Sequence, residues 1–240
     1  MPSPAIQLAR DMFSGDNRRA SVVLLTSSLC LAAWHLVGNY NFWLAHVTQW
    51  MPSGFDPQLI ASICFFACSF VLLGLIPLLV VKLILHERVA DYGLRWGDLR
   101  FGLPAVLLVA PLVAAIGYCS AQSPAFQAVY PLCPIAPKSA SGLAWHMVGQ
   151  LFWYAAWEFH FRGFLQFGLE KSHGISVGIW VQTLASMLAH FGKPGAEVFA
   201  SIVAGVLWGA LAWRTRSLLA GFLQHWLLGA SLDFFLCRRV

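Results

Sequence analysis

The sequence predicts an all-α integral membrane protein, a polytopic bundle of about seven transmembrane helices. Of its 240 residues, 59% are hydrophobic and only 10% are charged, whereas about a quarter of the residues in an average soluble domain are charged. Seven apolar segments have about the 20 residues that a membrane-spanning helix needs. Each is expected to be helical because the bilayer core offers no water to an open backbone. The segments are 20–38, 59–84, 102–119, 143–169, 174–190, 196–213 and 217–236.

The distribution of positive charge predicts a cytoplasmic N-terminus, because Lys and Arg are enriched in cytoplasmic loops. With this orientation the cytoplasmic flanks hold Arg10, Arg18, Arg19, Lys82, Arg88, Arg95, Arg100, Lys171, Arg214 and Arg216. The opposite side holds Lys138, Lys193, Arg238 and Arg239. Because Arg238 and Arg239 directly follow the last span, an eighth, partial or re-entrant span is the alternative topology. The expected location is the cell (inner) membrane.

The remaining composition argues against several other classes of protein. The net charge of +5 comes mostly from Lys and Arg beside apolar segments, so no nucleic-acid-binding surface is predicted. The six cysteines are scattered and are expected to be small core residues, not a disulfide framework or a zinc site. The first 19 residues are ionic and fit a cleaved signal peptide poorly, so we expect a retained cytoplasmic segment.

Ionisable residues lie inside three of the late predicted spans: Glu158, Arg162, His190, His225 and Asp233. An ionisable group within a membrane helix costs at least about 2.5 to 3.5 kcal/mol on insertion scales, so it normally faces the bundle interior and marks a functional site. We therefore expect the first four side chains to converge on one polar cavity within the bilayer. A purely structural ion pair is the alternative for Glu158 and Arg162, which share a helix face.

The other histidines are expected to have packing or interfacial roles. His160 is two positions from Glu158 and therefore points away from the face of that carboxylate. The rest lie near predicted helix ends or loops, where an interfacial or solvated imidazole is ordinary. They are His35, His46, His86, His146 and His173.

The segment WEFHFRGFLQ, residues 157–166, resembles the first motif of the CPBP (CAAX protease and bacteriocin-processing, or Abi) family of intramembrane proteases. That motif is usually EExxxRG followed by an apolar helix. Here Glu158, Arg162 and Gly163 match it.

Two further segments resemble the later motifs of the same family. SMLAHF, residues 186–191, resembles FxxxH through His190. RTRSLLAGFLQHWLLGASLD, residues 214–233, resembles a TxSL turn that opens a helix bearing HxxxN or HxxxD, with His225 in place. The stretch YGLRWGDLRFGL, residues 92–103, resembles the polar lead-in to the helix that precedes the core in many relatives.

The sequence departs from the family pattern at three positions. Trp157 replaces the first glutamate of the EE pair, usually assigned to water activation, and Ser186 replaces the Phe of the second motif. Gly229 replaces the Asn or Asp of the third motif, and the nearest carboxylate is Asp233. Either Glu158 and Asp233 take over the work, which is the interpretation we favour, or catalysis has been lost. Trp157 is expected to lie off the catalytic face, because a helix turns it about 100° from its neighbour.

The resemblance implies an intramembrane endopeptidase that cuts a membrane-associated protein or peptide near its membrane-embedded end or its C-terminal sorting or lipidated tail. In this interpretation Glu158 activates a water, and His190 and His225 orient that water or donate to the oxyanion. Asp233 is expected to act through a bridging water, to pair with another helix, or to lie at the membrane edge beside the C-terminal arginines.

No cofactor is expected to be required, but Glu158, His190 and His225 are the expected ligands if a divalent metal such as zinc is present. The implied partners are a membrane-anchored protein or peptide substrate and the lipid bilayer. The alternative function is a catalytically silent CPBP-like membrane scaffold or a bacteriocin-immunity protein, which the departures at Trp157 and Gly229 support.

The resemblance covers roughly residues 90–236 and divides the chain into three parts. Residues 1–19 are the cytoplasmic N-terminal segment, 20–89 are N-terminal transmembrane helices, and 90–240 are the CPBP-like core.

Overall fold

The computed structural model describes residues 3–15, 17–50, 54 and 56–238, and in this part of the chain all regular structure is helical. The α-helices are α1 Pro4–Met12, α2 Asn17–Val37, α3 Tyr40–Trp50, α4 Pro57–Phe70, α5 Ile76–Leu83, α6 Leu99–Ala121, α7 Pro124–Gln127, α8 Ala140–Glu158, α9 Gly168–His173, α10 Ile175–Ala189, α11 Gly195–Thr215 and α12 Leu219–Cys237. Short 3₁₀ turns are Val89–Tyr92 and Ala136–Lys138.

Two of the long helices contain a π-helical segment. Val71–Leu75 joins α4 to α5, and Phe159–Phe167 joins α8 to α9, so that residues 140–173 form one continuous helical rod. A π segment places its hydrogen bonds at i→i+5 and is often found at a functional site.

The prediction of a polytopic helical bundle is confirmed. Among the described residues five helical segments are long and apolar enough to cross a membrane: Asn17–Val37, Pro57–Leu83, Leu99–Ala121, Gly195–Thr215 and Leu219–Cys237. The other two predicted segments correspond to the charge-bearing rod at 140–173 and to α10, a shorter apolar helix. Helix α3 was not predicted, because its 11 residues are too few for a span. The alternative of an eighth, partial or re-entrant span is tested by none of the described residues and stays a prediction.

The rod formed by α8, the second π segment and α9 is the centre of the bundle. Every residue from Ala156 to Leu169 is buried, as expected of a helix that other helices surround on all sides. Gly163 permits a close approach of the backbone at Tyr92, since a Cβ atom at 163 would lie 2.9 Å from the carbonyl oxygen of Tyr92. The rod therefore holds Glu158 and Arg162 away from lipid.

Helix α2 covers one side of the rod. The ring of Trp34 lies edge-on to the ring of Trp157 at 5.5 Å, and Ser27 Oγ lies 3.0 Å from Nε2 of His160. His160 is fully buried in this contact, so it has the packing role expected of it.

Charged side chains tie the loops together at one end of the bundle. Glu87 accepts hydrogen bonds from Arg19, from Lys171 at 2.6 Å and from Tyr92 at 3.0 Å. Burial raises the pKa of Glu87, but these three donors outweigh burial and hold that pKa below its usual value. At the same end Arg216 pairs with Glu170, and Arg214 pairs with Asp98. Four of these cations, Arg19, Lys171, Arg214 and Arg216, are ones that the sequence assigns to the cytoplasmic side.

Candidate active site

A carboxylate and an imidazole are hydrogen-bonded at the centre of the bundle. Oε1 of Glu158, the last residue of α8, accepts a hydrogen bond from Nδ1 of His225 on α12 at 2.7 Å. Nη1 of Arg162 lies 3.2 Å from the same oxygen. The side chain of Glu158 is 1% exposed, so Arg162 and His225 supply the charge compensation that a buried carboxylate needs.

Aromatic rings hold His225 on both sides. The ring of Tyr154 is 4.4 Å from the imidazole, and the ring of Trp208 is 4.3 Å away at an angle of 31°. Trp208 is itself fixed, because its Nε1 donates to Oε1 of Gln224 at 3.0 Å. The imidazole therefore has little freedom to rotate away from Glu158.

The bond to Glu158 determines which nitrogen of His225 is available for chemistry. When Nδ1 carries the hydrogen that the carboxylate accepts, Nε2 of the neutral ring is an acceptor. This Nε2 has no protein hydrogen-bond partner among the described residues, and His225 lines a cavity. Glu158 thus contacts one nitrogen of the imidazole, and the nitrogen that is free to accept a proton is Nε2 of His225.

The cavity has a volume of about 240 Å³ and a mostly apolar wall. Helices α6, α11 and α12 supply most of that wall through residues such as Ile116, Ala200 and Leu228. Its polar lining comprises Ser120, Tyr130, Tyr154, Arg162, Ser186, His190, Glu197, Ser201 and His225. Three of the four side chains expected to converge therefore line one cavity, and Glu158 joins them through its contacts with Arg162 and His225.

His190 directly follows α10 and is held by its own helix. Its Nδ1 donates to the carbonyl oxygen of Ser186 at 2.7 Å, which leaves Nε2 as the outward nitrogen. The ring of His190 lies 5.3 Å from the ring of Trp157, edge-on.

Trp157 is not among the residues that line the cavity, and it packs against a neighbouring helix through Trp34, but it also lies beside the two histidines of the site. Its ring contacts His190 and comes within 6.5 Å of the ring of His225. The backbone of Trp157 does turn away from Glu158, but a side chain of this length reaches the neighbouring helices. Trp157 therefore fills the space beside both histidines.

The structure gives Asp233 a different neighbourhood from the other four candidate residues. Its Oδ2 accepts hydrogen bonds from Nε2 of His146 and from Nε2 of Gln150, both at 2.6 Å and both on α8. No hydrogen bond or ion pair joins it to Glu158 or His225 among the described residues. Of the predicted alternatives, pairing with another helix is the one observed. Among the described residues no ion pair joins Asp233 to Arg238, and Arg239 lies outside them.

Sequence reasoning missed two side chains and left a third out of the site. His146, expected at an interface, is fully buried in the contact with Asp233. Tyr130 and Glu197 lie outside the family motifs and were not among the predicted site residues. Both line the cavity, and their contact is described below. The spacing of His146 and Gln150, one helical turn apart on a common face, was the available signal for a buried polar pair.

The structure gives a steric reason for glycine at position 229, where the family motif has Asn or Asp. A Cβ atom at this position would overlap with the hydroxyl oxygen of Tyr154. The hydroxyl of Tyr154 thus occupies the space that an Asn or Asp side chain at 229 would need.

The arrangement does not fit a metal ion. Among the described residues no three His, Cys, Asp or Glu side chains are grouped so that they could hold one. Of the expected ligands, Glu158 and His225 are bonded to each other, and Nδ1 of His190 is bonded to a backbone carbonyl. The six cysteines are all free thiols and do not form a ligand cluster.

The fold and this cluster define a class: a polytopic helical membrane protein with a carboxylate–imidazole pair and an arginine buried beside an internal cavity. Residues 139–231 match the family model described as Type II CAAX prenyl endopeptidase Rce1-like. This match covers 93 of the 240 residues and supports the resemblance to CAAX proteases that the sequence motifs indicate. No curated protein and no solved structure matches the chain. The matched segment contains Glu158, Arg162, His190 and His225, and it ends before Asp233.

Proposed function

We propose that the protein is an intramembrane endopeptidase that hydrolyses a peptide bond of a membrane-associated protein. The hydrogen bond between Glu158 and His225 carries this proposal, because it presents an unpartnered imidazole nitrogen to an internal cavity. A His oriented by a buried carboxylate is an effective general base for water. The family match supports the same activity.

In the proposed reaction, Nε2 of His225 takes a proton from a water molecule that attacks the scissile carbonyl carbon. Glu158 fixes the tautomer and stabilises the imidazolium that forms, so it acts through His225 and does not itself contact the water. The role expected for Glu158 from sequence was that of the base. Arg162 compensates the charge of Glu158 and lines the cavity, where it can stabilise the developing oxyanion.

The proposed substrate is a protein or peptide cut near its C-terminal sorting or lipidated tail. The largely apolar wall of the cavity suits an apolar segment that enters from the bilayer. The name of the matching family points to a prenylated C-terminus, which we propose as the first substrate to test. We further propose that the N-terminus is cytoplasmic and that the protein resides in the cell (inner) membrane.

The test uses the purified full chain in proteoliposomes with three probes, and mass spectrometry of the products. The probes are a farnesylated C-terminal CAAX-type peptide, the same peptide without farnesyl, and a single-span peptide with a polar tail. We expect wild type to cleave at least one probe and Glu158→Gln to be slower by at least about 100-fold, the lower end for general-base catalysis. Glu170→Gln is the matched control, since Glu170 pairs with Arg216 at the charged end.

A catalytically silent scaffold is the second candidate function. The replacement of the first motif glutamate by Trp157 favours it, because one carboxylate of the family site is missing. If wild type and Glu158→Gln leave all three probes intact, the scaffold interpretation replaces the enzymatic one.

A further inference from the structure

A second carboxylate lies at the edge of the same cavity. Glu197, in the first turn of α11, accepts a hydrogen bond through Oε1 from the hydroxyl of Tyr130 at 2.6 Å. Its other oxygen, Oε2, is buried and has no hydrogen-bond partner among the described residues. Burying a polar atom without a partner is costly, so an acceptor held in this way is available for a ligand or for water.

Tyr130 fixes this carboxylate at the cavity edge. Burial and the nearby Glu197 raise the pKa of Tyr130 well above its usual value, so its hydroxyl remains a hydrogen-bond donor. Nζ of Lys193 lies 4.7 Å from the centre of the Tyr130 ring and holds that ring from the adjoining turn.

Glu197 faces the free nitrogen of His190. The distance from Glu197 Oε1 to His190 Nε2 is 4.0 Å, which is longer than a hydrogen bond. It is nevertheless short enough for a strong interaction between a carboxylate and an imidazolium at a site of low solvent exposure. The side chains of His190 and Glu197 are 14% and 21% exposed.

The other charged groups around His190 do not duplicate this interaction. Burial lowers the pKa of His190, and the cationic or protonatable groups of His225 on α12, Arg162 on the rod and Lys193 in the turn lower it further. Asp233 is engaged by His146 and Gln150. Of the described carboxylates, Glu197 is the one close enough to form an ion pair with His190 when that ring is protonated.

We infer that Glu197 is a positioning residue that stabilises the protonated form of His190, and that His190 delivers this proton to the leaving amine of the scissile peptide. The inference rests on the proposed function. As the C–N bond of the tetrahedral intermediate breaks, its electron pair goes to nitrogen, and nitrogen takes the proton from Nε2 of His190. The proton that His225 removed from water then returns to His190 through cavity water, so that one water is consumed for each bond cleaved.

The kinetic test compares Glu197→Gln with wild type in the proteoliposome assay described above. We expect kcat to fall by about 10-fold to 100-fold with a change in KM below about 3-fold, because the loss lies in proton transfer. The decline of kcat at high pH, where His190 loses its proton, should begin at lower pH in the variant. Glu197→Asp should recover part of the rate, and Tyr130→Phe should give a smaller loss. Glu170→Gln should leave both kcat and its pH profile unchanged. A wild-type kcat and pH profile in Glu197→Gln would overturn the inference.

A second measurement separates this inference from the proposed function. Nitrogen-15 spectra of histidine-labelled protein in nanodiscs, assigned with His190→Gln, report the pH midpoint at which the His190 ring is protonated. Loss of the carboxylate should move this midpoint to lower pH by at least half a unit in Glu197→Gln. If wild type cleaves no probe but the midpoint moves, the proposed function fails and the positioning of His190 stands. An unmoved midpoint contradicts the positioning role even if wild type is active.

Discussion

Nε2 of His146 lies 2.6 Å from Oδ2 of Asp233, and both side chains are fully buried. The same oxygen accepts a hydrogen bond from Gln150. This contact joins α8 to α12, the two helices that bring Glu158 and His225 together. It therefore helps to fix the separation of α8 and α12. It does so at a site remote from the hydrogen bond between Glu158 and His225, on which the proposed chemistry depends.

Asp233→Ala is expected to destabilise the protein without removing the catalytic groups. The change leaves His146 and Gln150 buried without their acceptor, and each buried polar group left unpaired costs about 1 to 3 kcal/mol. Thermal unfolding in detergent should show this loss. Asp91→Ala is the control, because Asp91 is a partly exposed carboxylate that pairs with Arg88. The kcat of the folded fraction should stay within about 3-fold of wild type. A loss as large as that of His225→Ala would instead make Asp233 part of the catalytic unit.

Glu158 and His225 are expected to behave as one unit in a double-mutant cycle. Either Glu158→Gln or His225→Ala should lower kcat by about 10² to 10⁴. The double variant should be little slower than the worse single variant, because each change already disables the same general base. The measurement is single-turnover cleavage in proteoliposomes. Losses that multiply would show that the two residues act independently.

Trp157 is expected to be a packing residue whose loss disturbs both histidines. Trp157→Ala should cost about 3 to 5 kcal/mol, the range for deleting a large buried aromatic side chain, and should also lower kcat. Trp180→Ala is the control, since that side chain is 61% exposed on the outside of α10. Equal melting temperatures for the two variants would contradict the contacts of Trp157 with Trp34 and His190.

The network around Glu87 is expected to make the protein acid-labile. A carboxyl group whose pKa is depressed in the folded state contributes stability above its unfolded value, about 4.3, and loses that contribution as pH falls through the folded value. We therefore expect wild type to lose about 1 kcal/mol, a magnitude suited to a partly exposed network, as pH falls below about 4. Glu87→Gln should already lack this contribution at pH 7 and should show a flatter dependence in acid. Parallel pH curves for the two proteins would refute the expectation.

The spans and the central part of the site could be predicted from sequence because both follow from the cost of transfer into lipid. Apolar length located the helices. The same cost required Glu158, Arg162 and His225 to find partners within the bundle, and these residues are in contact.

The other parts of the site could not be predicted from the periodicity of the sequence, because they depend on contacts between helices. The orientation of Trp157 depends on the reach of its ring across neighbouring helices. Glu197 lies at the cavity because α10 has only 15 residues, about 22 Å at 1.5 Å per residue, so the turn after it packs beside Tyr130. Asp233 pairs with His146, which is more than 80 residues away in sequence. His146 was expected at an interface because it lies near a predicted helix end, so its burial was not predicted.

Because α2 covers the rod, the segment that matches the family model depends on α2 for its structure. A chain that began at residue 139 would lack both Trp34 and Ser27, and would present the ring of Trp157 and the imidazole of His160 to lipid. An uncovered imidazole in hydrocarbon is unfavourable, so such a fragment would need another surface to bury it. The segment that matches the family model is thus not a module that can be transplanted alone, because α2 covers a site to which α2 contributes no catalytic group.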